Sequence, residues 1–203
     1  MSSNSTQHAL ATLGDAVGRG LLAGLAGTAA ITISQMIEMY FTKREPSPAP
    51  AKVAGQVLGV APSNKTETAE LRGEPVEPGK TNRQVKEEHT ERFANLMHWQ
   101  YGTSWGIGRG LLSAVGVTGW PATAIHFGSI WTTAMVMLPA ANASEPVTEW
   151  SPKQIAVDAL HHGVYALAAG LVFDYINEGH VLRKSDKPKR YPYIHEGYDY
   201  VEP

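Results

Sequence analysis

Apolar and polar positions in this chain fall into long blocks. Residues 20–37 hold no charged side chain, and neither do residues 110–144 with His126 counted as neutral. Polar stretches occupy 42–92 and 184–203. A helix that crosses a bilayer needs roughly 20 mostly apolar residues, because every backbone N–H and C=O must be bonded within lipid. Four windows meet that need: 17–41, 93–117, 121–140 and 152–176. Each is rich in small residues, and none carries a proline away from its end turns. Ser151 is placed to cap the last window with Pro152 at the first helical position, and Pro121 takes the same role after Thr118-Gly119-Trp120. That short link makes the second and third windows antiparallel neighbours. The pattern predicts an all-α polytopic membrane protein, a four-transmembrane-helix antiparallel bundle. A tail at 1–16, an extramembrane segment at 42–92 and a polar tail at 177–203 complete it.

The competing reading is a soluble helical protein with a greasy core. Two features count against it. Helix one carries Gly20, Gly24 and Gly27; helix two carries Gly102, Gly106 and Gly110; helix four carries Ala159, Gly163, Ala166 and Gly170. Such seams let backbones approach in lipid, whereas in water each glycine costs roughly 1 kcal/mol against alanine. The aromatics also sort by depth, with Tyr40, Phe41, Trp99, Tyr101 and Trp150 near one surface and Trp120, Phe173 and Tyr175 near the other. The mean hydropathy of -0.20 hides this segregation.

A net charge of -2 over 203 residues gives no field that points to nucleic acid. Cysteine is absent, which removes disulfides, thiolate metal sites and cysteine nucleophiles. The opening MSSNSTQHALATLGD lacks the basic-then-apolar order of a secretory signal, so no cleavage is expected. Arg183, Lys184, Lys187, Lys189 and Arg190 follow the last window, which favours cytoplasmic termini by the positive-inside rule. Within 42–92, the apolar spacing of Ala54, Val57, Leu58 and Ala61 predicts a short helix near 51–61 on the membrane surface. Residues 61–80 read as mobile, and the tyrosine-rich tail YPYIHEGYDYVEP as disordered.

Polar residues recur inside the windows, and antiparallel order places them by depth. An outer layer gathers Glu38, His98, Asp158 and His161, with His162 adjacent. An inner layer gathers Arg109, His126 and Asp174. Asp158, His161, His162 and Tyr165 share one face of helix four. Ionisable groups at membrane depth face the interior and pair there. They read either as a proton or cation path or as mutual neutralisation, Asp158 with His161 or His98 and Arg109 with Asp174. Asp158-x-x-His161 with Glu38 and His98 has some of the spacing logic of metal-binding bundles, but the duplicated Glu-x-x-His pair is missing. His98 with His161 is the one credible haem pair, offset by about 6 Å in depth. No metal or cofactor is therefore expected, and no nucleophile set is readable. His8, His89, His180 and His195 read as solvated.

The opening GLLAGLAGTAA with its later Glu38, the long second segment, the HWQYGTSW box at 98–105 and the final span DALHHGVYALAAG resemble bacterial inner-membrane proteins of the YagU-like family. That resemblance implies the topology and a bacterial cytoplasmic membrane, and it carries no activity or cofactor. The expected role is an accessory or structural membrane component. It would sit in the lipid bilayer as a homo-oligomer or as a subunit of a larger complex. Proton or cation handling through the outer layer is the alternative, and a metal- or haem-binding enzyme stands third.

Overall fold

The computed structural model describes residues 3–61 and 79–185. Residues 62–78 and the tail beyond 185 lie outside the described residues. So do the expectations of mobility and disorder made for them, together with His195 and the side chains of His180, Arg183 and Lys184. Five α-helices account for almost all of the described residues: α1 (Ser3–Thr42), α2 (Ala49–Leu58), α3 (Asn82–Ala114), α4 (Gly119–Ala140) and α5 (Pro152–Ser185). A 3-10 turn at Val147–Glu149 precedes α5, and no strand occurs among the described residues.

Local chemistry sets the helix starts. Thr81 and Gln84 form a reciprocal capping box at the start of α3. Ser151 and Gln154 repeat it before α5, the serine hydroxyl accepting from the Gln154 backbone N–H at 3.2 Å and the Gln154 side-chain Oε1 accepting from the Ser151 backbone N–H at 2.8 Å. α4 begins at Gly119, so Pro121 is its third residue rather than its first. Pro139 lies in the last turn of α4, where the helix is about to end in any case.

Three helices outrun the apolar windows. α1 already begins at Ser3, so the stretch read as a tail is helical. α3 begins in the charged sequence at Asn82, and α5 continues to Ser185. Helical propensity, i,i+4 ion pairs such as Arg83–Glu87 at 2.9 Å, and the caps carry the helices beyond the segment that hydropathy marks. The ammonium of Lys80, bonded to Glu88 at 2.8 Å, holds that carboxyl below its ordinary range in the same extension.

The register follows from cross-helix contacts. α1 runs against α3 with Gly20 beside Gly106 and Gly110, Gly24 beside Thr103 and Gly106, and Thr28 beside Gly102. Against α5, α1 sets Gly27 on Tyr165 and Arg19 on Asn177. α4 faces α5 through Thr123 on Gly170 and Phe127 on Gly163. The four long helices therefore alternate in direction, and the start of α1 and the end of α5 share one end of the molecule. α1 packs mainly on α3 and α5, while α4 sits at the side against α5. The core gathers Ala23, Ile31, Ile130, Tyr165, Ala166, Ala169 and Phe173.

Two helices, Ser5–Thr42 and Pro152–Glu178, are long and apolar enough to cross a membrane. The other two expected spans fall short: within 93–117, Asn95, His98, Gln100 and Arg109 interrupt the apolar run of α3, and α4 carries His126, several threonines and Pro139. The exposed aromatics include Tyr40, Phe41, Trp120 and Tyr175. Phe173 departs from the belt expected of it, because it is buried beneath Arg109.

A Cβ placed on Gly106 would lie 2.6 Å from the Cα and N of Gly24, which are backbone atoms that cannot step aside. Gly128, also inside a helix, has nothing within 4 Å of such a Cβ. Gly106→Ala should lower detergent-solubilised stability by about 1–3 kcal/mol through overpacking. Gly128→Ala should be neutral or gain up to about 1 kcal/mol of helix propensity. Thermal unfolding of the two variants beside the parent reads the contrast, and equal melting points would refute the α1–α3 seam.

Candidate functional site

The interior polar groups sit between helices that the glycine contacts bring together. Arg109 projects from α3, is 0 % exposed and forms an ion pair with Asp174 of α5. The ring of Phe173, one residue before that aspartate, lies 4.4 Å from the guanidinium carbon and covers its face. His126 of α4 is 2 % exposed, and its Nε2 lies 2.9 Å from the Trp105 carbonyl. A carbonyl can only accept, so Nε2 carries a proton, and Nδ1 is the ring nitrogen left without a partner. The ring packs against α3 at Gly108 and stands edge-on to Tyr165, with centroids 5.9 Å apart. Tyr165 donates its hydroxyl proton to the Gly102 carbonyl at 2.6 Å. Arg109, Asp174 and His126 thus share one level of the molecule, joined through α3.

The residues of the outer layer do not converge on a common centre. Glu38 turns to Arg44, with Nη2 at 2.7 Å, and accepts from the Thr42 hydroxyl at 2.9 Å. His98 reaches Thr32, whose Oγ1 lies 3.1 Å from Nε2. The Thr32 hydroxyl donates to the Thr28 carbonyl at 2.7 Å, so His98 is the donor in that contact. His161, 5 % exposed, places Nδ1 2.8 Å from the Ser34 hydroxyl. Asp158 accepts from the Trp131 indole N–H at 2.9 Å, and its carboxylate lies 3.4 Å from His162 Nδ1. The partners of Asp158 are therefore Trp131 and His162, rather than His161 or His98.

Sequence reasoning passed over several of these partners. Thr32 and Ser34 supply hydroxyls from α1 to histidines on two other helices. The legible signal for Thr32 is position, since it continues the Gly20–Gly24–Thr28 spacing that faces α3. Arg19, held by Asp15 and by Asn177 Oδ1 at 2.6 Å, makes a further α1–α5 link at the end of the molecule where α1 starts. Glu38 was read as part of the interior, whereas Arg44, past the helix end, draws its carboxylate toward the boundary.

Chemically, the arrangement is a set of cross-helix pins. Among the described residues, no three His, Asp or Glu side chains converge as a metal-ligand set. His98 and His161, the haem pair considered from sequence, each turn a ring nitrogen to an α1 hydroxyl. Six buried side-chain nitrogens have no hydrogen-bond partner among the described residues: His89 Nδ1, Trp105 Nε1, Arg109 Nε and Nη1, His126 Nδ1 and His161 Nε2.

No family model matches the chain, and no curated protein or solved structure is significantly similar to it.

The Arg109–Asp174 pair yields a prediction from the cost of an unpaired buried charge. Asp174→Ala leaves the guanidinium without its counter-ion and should destabilise the protein by about 3 kcal/mol or more. The double variant Arg109→Met with Asp174→Leu removes both charges and should recover most of that loss. Unfolding by SDS titration in mixed micelles measures both, and a double variant no more stable than the single one would contradict the pairing.

Proposed function

We propose that this chain is a four-span integral membrane protein of a bacterial cytoplasmic membrane that serves as an accessory or structural component. The observation that carries the proposal is an inverted distribution of polarity. Arg109, His126 and His161 are buried, while Leu21, Leu22, Leu25, Ile33, Met36 and Ile37 of α1 face outward, with Leu160, Leu167 and Leu171 of α5 and Ile125 and Val136 of α4. In water such an outer surface favours aggregation, whereas in lipid it meets its own kind. The alternating direction of the four long helices and the exposed aromatics toward their ends fit a bilayer of ordinary thickness.

A structural role is supported by how the interior ionisable groups are used. Each one binds a side chain or backbone group, most of them on another helix, and these bonds hold helices together. Shallow depressions on the charged start of α3 and between α4 and α5 do not include Arg109, His126 or His161 in their walls. The glycine seams supply the close packing that such a scaffold needs in lipid, where the hydrophobic drive between helices is missing. The occupants of its outer surface are lipid and either further copies of the chain or the subunits of a larger complex. The likeness of 98–105 and of the last span to YagU-like proteins points to the same membrane. Cytoplasmic termini follow from the basic residues after 182.

Proton handling is the second reading, favoured by the unpartnered His126 Nδ1 and His161 Nε2, since imidazole relays protons near neutral pH.

Reporter fusions truncated after Glu45, Gly116 and Asn142, and one at the C-terminus, test the span count. Four spans require the Gly116 and C-terminal fusions to report cytoplasm and the other two to report the opposite side. If α1 and α5 alone cross, the Gly116 fusion groups with Glu45 and Asn142, and the proposal fails. In reconstituted vesicles, a proton flux lost in His126→Gln or His161→Ala would place the second reading first.

A further inference from the structure

The short helix α2 is fastened at one end and bare at the other. Its first half packs on α3, burying Ala54 of α2 and Val85 of α3. Lys52 Nζ donates to the carbonyl of Asn142, just past the end of α4. Beyond Ala54 every described residue to Ala61 is exposed, and this stretch reads Gly-Gln-Val-Leu-Gly-Val-Ala. Val57 is 62 % exposed, Leu58 65 % and Val60 39 %. Gly59, at φ 65°, ends the helix in the left-handed region and turns the chain, so that Val57, Leu58 and Val60 form one apolar tip.

The height of this tip follows from the helix register. Thr32 of α1 and His98 of α3 touch, so Phe41, nine residues further along α1, is level with residue 89 of antiparallel α3. Val85 lies four residues past that level, about 6 Å at 1.5 Å per residue. Asn142, the other anchor, stands two residues past the end of α4. The polar layer on each side of a hydrocarbon core is about 5–8 Å thick. On the four-span reading α2 therefore lies at headgroup height, close to the level of Tyr40 and Phe41, which are 70 % and 77 % exposed.

We infer that Val57, Leu58 and Val60 form an interfacial anchor that dips from α2 into the headgroup–acyl boundary of the outer leaflet. The occupant of this apolar surface is lipid rather than protein. The tip continues the belt begun by Tyr40 and Phe41, and the fixed first half of α2 holds it at the depth where apolar side chains gain from the boundary. The anchor ties the 42–92 connection to the bilayer and sets the angle at which α3 enters it. This inference rests on the four-span reading above.

The chain has no cysteine, so single-cysteine labelling is direct. Leu58→Cys, Gln56→Cys and Leu167→Cys would each carry an NBD fluorophore in phosphatidylcholine–phosphatidylglycerol nanodiscs. Spin-labelled lipids with shallow or deep nitroxides, and aqueous iodide, serve as quenchers. The anchor predicts that the Leu58 probe is quenched at least twofold more by the shallow lipid than by the deep one, and more than the Gln56 probe by either. Leu167, on the outward face of α5, should answer to the deep lipid. A Leu58 probe open to iodide and untouched by lipid overturns the anchor, because the tip is then in water. One shielded from both quenchers also overturns it, because protein covers the tip. In either case a deep Leu167 leaves the four-span reading standing. A Leu167 probe that no lipid quenches overturns that reading, and the anchor with it.

Discussion

The contact between the backbones of α1 and α3 governs the rest of this molecule. Gly20 and Gly24 of α1 meet Gly106 and Gly110 of α3 with no side chain between them, and Ala16 extends the seam at one end. Approach that close is possible only without Cβ atoms, and it fixes rotation and translation together. Once Gly24 is set against Gly106, Thr32 can be opposite only His98, and Thr28 only Gly102. The neighbouring face of α1 then meets α5, where Gly27 accepts the ring of Tyr165. Polar partners are thus chosen by a packing contact several turns away.

Burial of charge is tolerable here because each group has a partner of the right kind. Arg109 has its carboxylate, and Phe173 shields the guanidinium face from competing solvent. His98 and His161 are matched with hydroxyls and His126 with a carbonyl. Serine and threonine on α1 can serve this purpose cheaply, since their hydroxyls fall back on the carbonyl four residues earlier when nothing better is near. Thr28 and Thr32 both make that bond, at 2.7 Å.

Much of the architecture was legible before any coordinates. Helical content, the order of the long helices and the glycine faces follow from periodicity and composition, since these depend on the residues themselves. The level shared by Arg109 and Asp174 was legible because antiparallel order converts sequence distance into depth. The partners of individual side chains were not. Whether Asp158 meets His161 or Trp131 depends on helix rotation, which a depth count does not contain. Helical spacing alone points Glu38 inward, whereas Arg44, six residues further along the chain, draws its carboxylate away. Phe173 was assigned to a belt by depth alone, but at one depth a side chain can face either lipid or the interior. The extent of α1 was hidden because hydropathy marks where a helix can be immersed, not where its backbone ceases to coil.

That extent has a mechanical meaning. From Ser3 to Ala16 the chain is an unbroken rod, about 20 Å long at 1.5 Å per residue, standing beyond the glycine seam. Flexible leaders dissipate a pull, whereas a helix transmits it. Any load applied to the first turns of α1 arrives undiminished at Gly20 and Gly24, where two backbones are in register with nothing soft between them. The beginning of α1 is therefore a lever whose fulcrum is the most tightly fitted point of the molecule.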